Sequence, residues 1–352
     1  MMRFGTFHLL TQPPGLTAED LLRQTLDEAA LADELGFHTC WLTEHHGSRY
    51  GLSSSPAVLA AAIAERTQRI RLGFAAHITP MHHPVQLAEQ VAIVDQLSGG
   101  RVIAGFGAGY SPYEFSMVGA DFDNRHTIHW EILGLVRQLW TQTQVNHHSD
   151  LFHLDGAASF PKPHQQPHPP IAITAGHPDS VRSVALGGHR ILLLGGDDQV
   201  RDSLAIYWAT LDEAVESGEI TEQVAVDCRG SAGVLRQIHL DDDPSRAMDT
   251  VRESTAWSLR VAKALASMGP VPLTDADFDG LELPAVDPDQ VQEILERRVL
   301  AGDTKHVTQR LEGLRDIGVG EVLCWTRWGY LGHEQATESM RRLAAHVMPS
   351  FQ

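Results

Sequence analysis

The chain has 352 residues, of which 43% are hydrophobic and 20% are charged, a composition typical of a folded globular protein. Its 27 Lys and Arg residues against 45 Asp and Glu residues give a formal net charge of −18, which argues against a nucleic acid or an anionic membrane as partner. The length allows two ordinary domains or one large α/β barrel.

The N-terminal stretch MMRFGTFHLLTQPPG has only a brief apolar run, so we expect neither a signal peptide nor a membrane anchor. Cys40, Cys228 and Cys324 are widely separated, and none belongs to a C-x-x-C pair. This spacing excludes a zinc ribbon and suits reduced thiols. The sequence therefore predicts a cytoplasmic protein.

Strand and helix patterns alternate through the first hundred residues. The β-like segment MRFGTFHLL precedes a helix with Thr17 as its N-cap and Gly36 as its end. Pro56 and Pro84 stand at the first positions of two further helices. The strands predicted between and after them are FHTCWLT, RIRLGFAAH and RVIAGFGAGY.

The alternation loosens after residue 110 but persists. We predict helices over 124–140, 179–186, 202–215, 245–266, 305–317 and 334–347. We also predict a hairpin over 151–160, strands over 171–175, 190–195 and 321–326, and an extended stretch over 224–239. About eight strands, each with a helix, favour a single TIM (β/α)8 barrel domain spanning 1–352, with an open doubly wound sheet as the alternative.

Residues 267–290 form the clearest insertion, a long loop after the seventh strand. The segment contains Pro270, Pro272, Pro284 and Pro288, with glycines and acidic residues between them. Long segments without periodicity are usually lids, binding loops or disordered. We predict a mobile lid on the active-site face.

Glu44, His45 and His46 lie side by side where a predicted strand ends. A metal site, an acid/base site and solvated histidines are all open interpretations of the three groups. Successive side chains of a strand point to opposite faces, so both histidines cannot enter one barrel mouth unless the chain has turned. We predict no metal site, and the strand-end position favours one functional histidine.

Two further stretches indicate ligand contact. In IAITAGHPDSVRS, a strand runs into Gly176 and a helix that begins at Pro178, which makes either an anion site at the helix N-terminus or an ordinary capped helix. In GFGAGY, residues 105–110, the glycines do not match the dinucleotide-binding spacing. They indicate that a ligand or a neighbouring backbone approaches closely.

The sequence resembles the bacterial luciferase-like flavin monooxygenases, and especially the luciferase alpha subunit. The similarity extends over nearly the whole chain and is most specific from Trp41 to Gly109, with further matches in GADFDNRH and in SMRRLAAHVMPSF. It implies a TIM-barrel enzyme that takes reduced FMN from a separate flavin reductase. Such an enzyme reacts the reduced FMN with O2 and oxidises a small organic substrate through a flavin hydroperoxide.

The resemblance also implies roles for individual residues. His45 would act in acid/base catalysis, and Ala75–Ala76 would be a cis peptide beneath the flavin ring. Gly107, Gly109 and Tyr110 would contact the cofactor, and the phosphate would be held at a turn that matches Ala175, Gly176, His177 and Ser180. A reactive cysteine and an arginine of the luciferase alpha subunit are replaced by Gly107 and Ala108. A phosphate-contacting arginine is replaced by His126, with Arg125 beside it.

These departures leave alternatives to a reduced-FMN monooxygenase. One is a deazaflavin-dependent oxidoreductase, and another is a non-catalytic flavin-binding relative. Light emission and an aldehyde substrate do not follow from the resemblance. Because the helices from Pro56 and Pro84 are apolar beyond one stripe and the family dimerises there, we predict a homodimer.

Overall fold

The fold of the computed structural model, which describes residues 1–267 and 283–352, is a closed barrel of parallel strands with helices outside it. The strands are β1 Arg3–His8, β2 Thr39–Leu42, β3 Arg71–Phe74, β4 His77–Ile78, β5 Val102–Gly107, β6 Val145–His148, β7 His153–Ala157, β8 Ile171–Thr174, β9 Arg190–Leu193, β10 Gly233–Leu240, β11 Val299–Gly302 and β12 Glu321–Trp325. The helices are α1 Ala18–Leu35, α2 Pro56–Ala64, α3 Pro84–Leu97, α4 Pro112–Val118, α5 Arg125–Thr141, α6 Pro178–Leu186, α7 Asp197–Glu216, α8 Glu222–Arg229, α9 Pro244–Ser267, α10 Pro288–Arg298, α11 Thr304–Asp316 and α12 His333–Arg342.

Eight of the described strands close the barrel in the order β1, β2, β3, β5, β8, β9, β10 and β12. The circle is completed by β12 pairing with β1 and by β10 pairing with β9. Short β4 extends the third position against β5, and β11 pairs with the last residues of β10. The predicted TIM barrel is therefore confirmed.

Two apolar layers stabilise the barrel. A large core lies between strands and helices, and a smaller one fills the barrel interior around Phe7, Trp41 and Ile103. The Trp41 ring fits because Gly73 lies opposite it; a Cβ at Gly73 would stand 2.3 Å from Cε3 of Trp41. The lower half of the barrel interior is thus filled by side chains, and the upper ends of the strands are where barrel enzymes place their sites.

The extended stretch predicted over 224–239 is wrong in its first half. Residues Glu222–Arg229 form helix α8, and the strand begins only at Gly233. Val224 and Val226 alternate as the outward or inward residues of a strand would. Ala225 and Cys228, three residues apart, are the ones that are buried, with Thr221 as N-cap, so helical packing decides this segment.

Other differences are smaller. Helices α4 and α10 and strand β11 are not anticipated, and the hairpin pairs β6 with β7 rather than lying within 151–160. The closing helix ends at Arg342, after which 343–347 continue as a π-helical turn. Most of the predicted 267–290 lid lies outside the described residues, and Pro288 begins α10. None of the helices that the structure describes has the length and apolarity to cross a membrane.

Candidate active site

A cavity of about 310 Å³ opens at the C-terminal ends of the barrel strands. This is within the range of roughly 300–1,000 Å³ of small-molecule sites. Residues at or just after the ends of β2, β3, β4, β5, β8 and β9 form its walls, together with the first two turns of α5 and the first turn of α6. The lining residues are Thr43, Glu44, His45, Ala75, Ala76, Ile78, Ala108, Gly109, Tyr110, His126, His129, Trp130, Ile173, Thr174, Ala175, Gly176, His177, Ser180, Leu192 and Leu194.

Most of the residues predicted from the sequence lie in this lining. They are His45, Ala75, Ala76, Gly109, Tyr110, His126, Ala175, Gly176, His177 and Ser180. Gly107 and Arg125 are not part of it. The sequence analysis did not predict the apolar lining residues of β8 and β9, or His129 and Trp130 on α5. No sequence motif marks them as cavity residues.

Small residues give one wall of the cavity a flat surface. The peptide bond between Ala75 and Ala76 is cis, as the resemblance implied. Gly105 and Gly107 on β5 make room for neighbouring strands: a Cβ at Gly105 would stand 1.4 Å from the Phe74 carbonyl oxygen, and one at Gly107 would stand 2.6 Å from Oγ1 of Thr174. Close approach of protein therefore explains these two glycines, and Ala108 and Gly109 face the ligand space.

His45 is buried beside the cavity and paired with a carboxylate. Its Nδ1 lies 2.9 Å from Oε1 of Glu114. With the carboxylate as acceptor, the proton of the neutral ring sits on Nδ1 and the lone pair on Nε2. Among the described residues, Nε2 has no hydrogen-bond partner. The pair has the geometry of a proton-transfer group oriented by an acid.

Glu114 was missed by the sequence reasoning. It lies in the first turn of α4, and its Oε1 also accepts the backbone N–H of His46 at 3.1 Å. The stretch Ser111-Pro-Tyr-Glu114 matches a capping-box pattern, which is a signal for a helix start with Glu in its first turn. The pattern alone does not reveal that the carboxylate turns toward His45.

Glu44 is the centre of a second cluster on the other side of the strand end. Its side chain is fully buried, and its two oxygens accept hydrogen bonds from His46 Nε2 at 2.9 Å, from His82 Nε2 at 2.8 Å and from His77 Nδ1 at 3.1 Å. The Ile78 backbone N–H also donates, at 3.1 Å. Burial by itself raises the pKa of Glu44, but these hydrogen bonds outweigh it and hold the pKa well below its usual range.

The same cluster has the composition of a metal site. The ligand atoms of Glu44, His77 and His82 lie within 4.8 Å of one another. The Glu44 carboxylate already accepts hydrogen bonds from His77 Nδ1 and His82 Nε2, which satisfy its buried charge without an ion. The Nε2 atom of His77 is buried and has no hydrogen-bond partner among the described residues. The absence of a metal cofactor therefore stays our prediction.

The far end of the cavity is suited to an anion. His177 is the N-cap of α6, Ser180 is in its first turn, and His126 faces them from the start of α5. Burial, then Arg125, then His177 lower the pKa of His126. The Arg125 guanidinium stacks 4.0 Å from the Phe122 ring centroid and donates to the Phe122 carbonyl oxygen. Arg125 thus reaches this end only by changing its rotamer.

Comparisons with known proteins identify the chain's relatives. The family model of the luciferase-like monooxygenases matches residues 2–321. The oxygenase component of a flavin-dependent trigonelline monooxygenase from Acinetobacter baylyi is 24% identical over 99% of this chain and 96% of its own length. The alkanal monooxygenase alpha chain of Photorhabdus laumondii is 33% identical over 40% of this chain and 39% of its own length.

Solved structures share the fold over the whole chain. Monooxygenase RslO1 from Streptomyces bottropensis has a TM-score of 0.85 and 26% identity, with 100% of both chains covered. The oxygenating constituent of 3,6-diketocamphane monooxygenase from Pseudomonas putida, in complex with FMN, has a TM-score of 0.79 and 20% identity over 99% and 98% of the two chains. An F420-dependent secondary alcohol dehydrogenase has a TM-score of 0.76 and 18% identity, with 100% of this chain and 99% of its own chain covered.

Replacing Glu44 with Gln tests the role of the buried carboxylate. The amide nitrogen of Gln cannot accept the hydrogen bonds that His77, Ile78 or the other histidines donate. We expect Glu44→Gln to lower the free energy of unfolding by about 3 to 5 kcal/mol, as when a buried charge network loses one partner. Glu19→Gln, in an exposed pair with Arg23, should change it by less than about 1 kcal/mol. Urea unfolding measures the free energy of unfolding of both variants. Equally small decreases in the two variants would show that the Glu44 cluster does not stabilise the fold.

Proposed function

The chain belongs to the luciferase-like monooxygenase family, and from that premise we propose that it binds FMN in the 310 Å³ cavity and uses the reduced form with O2 to oxygenate a small organic substrate. The observation that carries the proposal is the His45–Glu114 pair, which presents an unpaired imidazole Nε2 beside a cavity with one flat end and one anion-binding end. The named flavin-dependent relative supports it, and so does the FMN complex on the same fold.

The residues present fit a flavin mononucleotide. The flat wall at Ala75, Ala76 and Ala108 suits a planar ring, because no side chain longer than a methyl group projects there. The phosphate would lie at the opposite end, against the α6 N-terminus, with Ser180, His126 and His177 as donors. Neutral or protonated imidazoles would replace fixed guanidinium groups at this end.

Reduced FMN would supply two electrons, so that one atom of O2 enters the substrate and the other leaves as water. His45 would hold or transfer a proton at Nε2, and Glu114 would keep its Nδ1 protonated and stabilise the imidazolium form. The packed barrel interior below the cavity, around Trp41, would exclude water from beneath the reacting groups. A separate flavin reductase would deliver the reduced cofactor.

The cellular setting and assembly are part of the same proposal. All three cysteines are free thiols in the interior, as suits a reducing cytoplasm. Helices α2 and α3 expose apolar side chains, with Val58 at 68%, Leu97 at 51% and Ile93 at 44%. Such neighbouring apolar residues are typical of a protein interface. We propose a homodimer through α2 and α3.

Sedimentation at micromolar concentration tests the dimer. The wild-type chain should sediment as a dimer, and Ile93→Asp should give a monomer because two charges would be buried at the two-fold contact. Val226→Asp, an exposed apolar position on α8, is the matched control and should remain dimeric. A monomeric wild type would rule out the interface.

Oxygen-isotope transfer tests the reaction. Protein with reduced FMN is mixed with oxygen-18 gas and a panel of aldehydes, ketones and aromatic compounds, and the products are analysed by mass spectrometry. We expect one labelled oxygen in the product and tighter binding of FMN than of F420.

His45→Ala should lower turnover by about 10²-fold or more, the usual contribution of acid/base catalysis, whereas exposed His306→Ala should not. Tighter F420 binding with hydride transfer and no label would favour the deazaflavin alternative. Unchanged turnover of His45→Ala would favour a non-catalytic relative.

The carboxylate partner of His45 gives a separate test through kinetics. Glu114→Gln keeps an acceptor for Nδ1 but removes the negative charge beside the ring, so proton transfer by His45 should slow. We expect kcat to fall about tenfold or more while the FMN dissociation constant stays at the wild-type value. The exposed-site variant Glu213→Gln should match wild type in both quantities. An unchanged kcat in Glu114→Gln would mean that Glu114 serves only packing.

A further inference from the structure

A second cavity adjoins the 310 Å³ cavity and shares His45 and Tyr110 with it. Its volume is about 150 Å³, and it is lined by Tyr50, Tyr110, Tyr113, Glu114 and Ala262 together with His45. The chain has only five tyrosines, and three of them converge here. We name this cavity the tyrosine pocket. His45 and Tyr110 line both cavities, so a ligand in the tyrosine pocket would touch the proposed acid/base group.

The aromatic rings are arranged around His45 rather than packed face to face. The imidazole stands edge-on to Tyr50, with centroids 5.0 Å apart, and edge-on to Tyr110 at 6.0 Å. Tyr110 is 65% exposed, so much of its side chain is not covered by other residues. The Tyr113 hydroxyl donates to the Gly47 carbonyl oxygen at 2.9 Å, which fixes its ring at the wall. Ring faces and edges are therefore available to a further ring.

Charge and protonation limit what the pocket accepts. Glu114 is its only charged lining residue among those described, and no Lys or Arg side chain faces it there. Burial raises the pKa of the Tyr50 phenol, so its hydroxyl remains neutral at physiological pH. An anionic group would meet a carboxylate without a counter-charge, and a cation would meet ring faces and a carboxylate.

We propose that the tyrosine pocket binds an aromatic ring of a neutral or cationic substrate and holds its reacting atom beside His45. The volume of 150 Å³ suits one ring, since an apolar cavity of about this size is known to hold benzene. The role in turnover rests on the proposed monooxygenase function, but ring binding does not require the flavin. The competing interpretation is an alkyl pocket in which the tyrosines act only as apolar surface.

Calorimetric binding to the flavin-free protein separates the two interpretations. Phenol and cyclohexanol share size and a hydroxyl group, and differ in aromaticity. Contacts between aromatic rings should make phenol bind about 2- to 10-fold tighter than cyclohexanol. Benzoate should bind more weakly than phenol because its carboxylate faces Glu114. Equal affinities for phenol and cyclohexanol, no phenol binding, or tighter benzoate binding would each overturn the proposal.

Variants locate the binding. Tyr110→Leu should abolish the preference for phenol, and Ala262→Phe, which fills the pocket from α9, should abolish phenol binding itself. Tyr330→Leu, an exposed tyrosine outside the lining, should bind like wild type. Retained preference in both pocket variants would place the ring elsewhere and overturn the proposal. A preference for phenol without transfer of labelled oxygen from O2 would contradict only the monooxygenase function. Transfer of labelled oxygen to aliphatic compounds alone would contradict only the proposed aromatic pocket.

Discussion

The buried carboxylate of Glu44 is the constraint on which the upper end of the barrel depends. A charge removed from water must be satisfied by several hydrogen bonds, because leaving it unpaired costs several kcal/mol. Three imidazoles and one backbone amide supply them: His46 follows β2, His77 and Ile78 form β4, and His82 precedes α3. Three chain segments are therefore held in one arrangement by a single side chain.

The Glu44 cluster has consequences for the neighbouring residue. With His46 turned to Glu44, His45 faces the other way, where Glu114 on α4 accepts its Nδ1 proton. The three adjacent titratable groups thus separate into a buried hydrogen-bonded cluster and the pair for which we propose proton transfer. A hydrogen bond from the His46 backbone N–H to Glu114 links the two, so the position of α4 and the orientation of His45 are coupled.

His45 lines both cavities, so one side chain would serve both the proposed cofactor and the proposed substrate. The larger cavity has a wall of small residues and an end suited to an anion, and the smaller one is aromatic. In the proposed cofactor site, imidazoles and a helix N-terminus would be the donors to the phosphate.

Regular elements were predictable because each has a local cause. Pro56 and Pro84 begin helices whatever surrounds them, and Thr17 and Gly36 cap α1 through their own side chain or backbone conformation. Helix α8 was mistaken for a strand because its two valines alternate, and only its burial against the barrel reveals the helical face. The sequence did not predict that Arg125 stacks on Phe122. Sequence position places the Arg125 backbone near the cavity, but it does not determine the direction of the side chain.

The sequence by itself determined the alternation of strands and helices, the barrel that follows from it, and the position of His45 at a strand end, because periodicity and capping act over a few residues. Only the tertiary structure decided that Glu44 gathers His46, His77 and His82, that Glu114 orients His45, and that three tyrosines surround a second cavity. These contacts join residues as many as 69 positions apart in the chain, such as His45 and Glu114. Closure of the barrel brings such residues together, and the local sequence pattern does not predict which distant residues will meet.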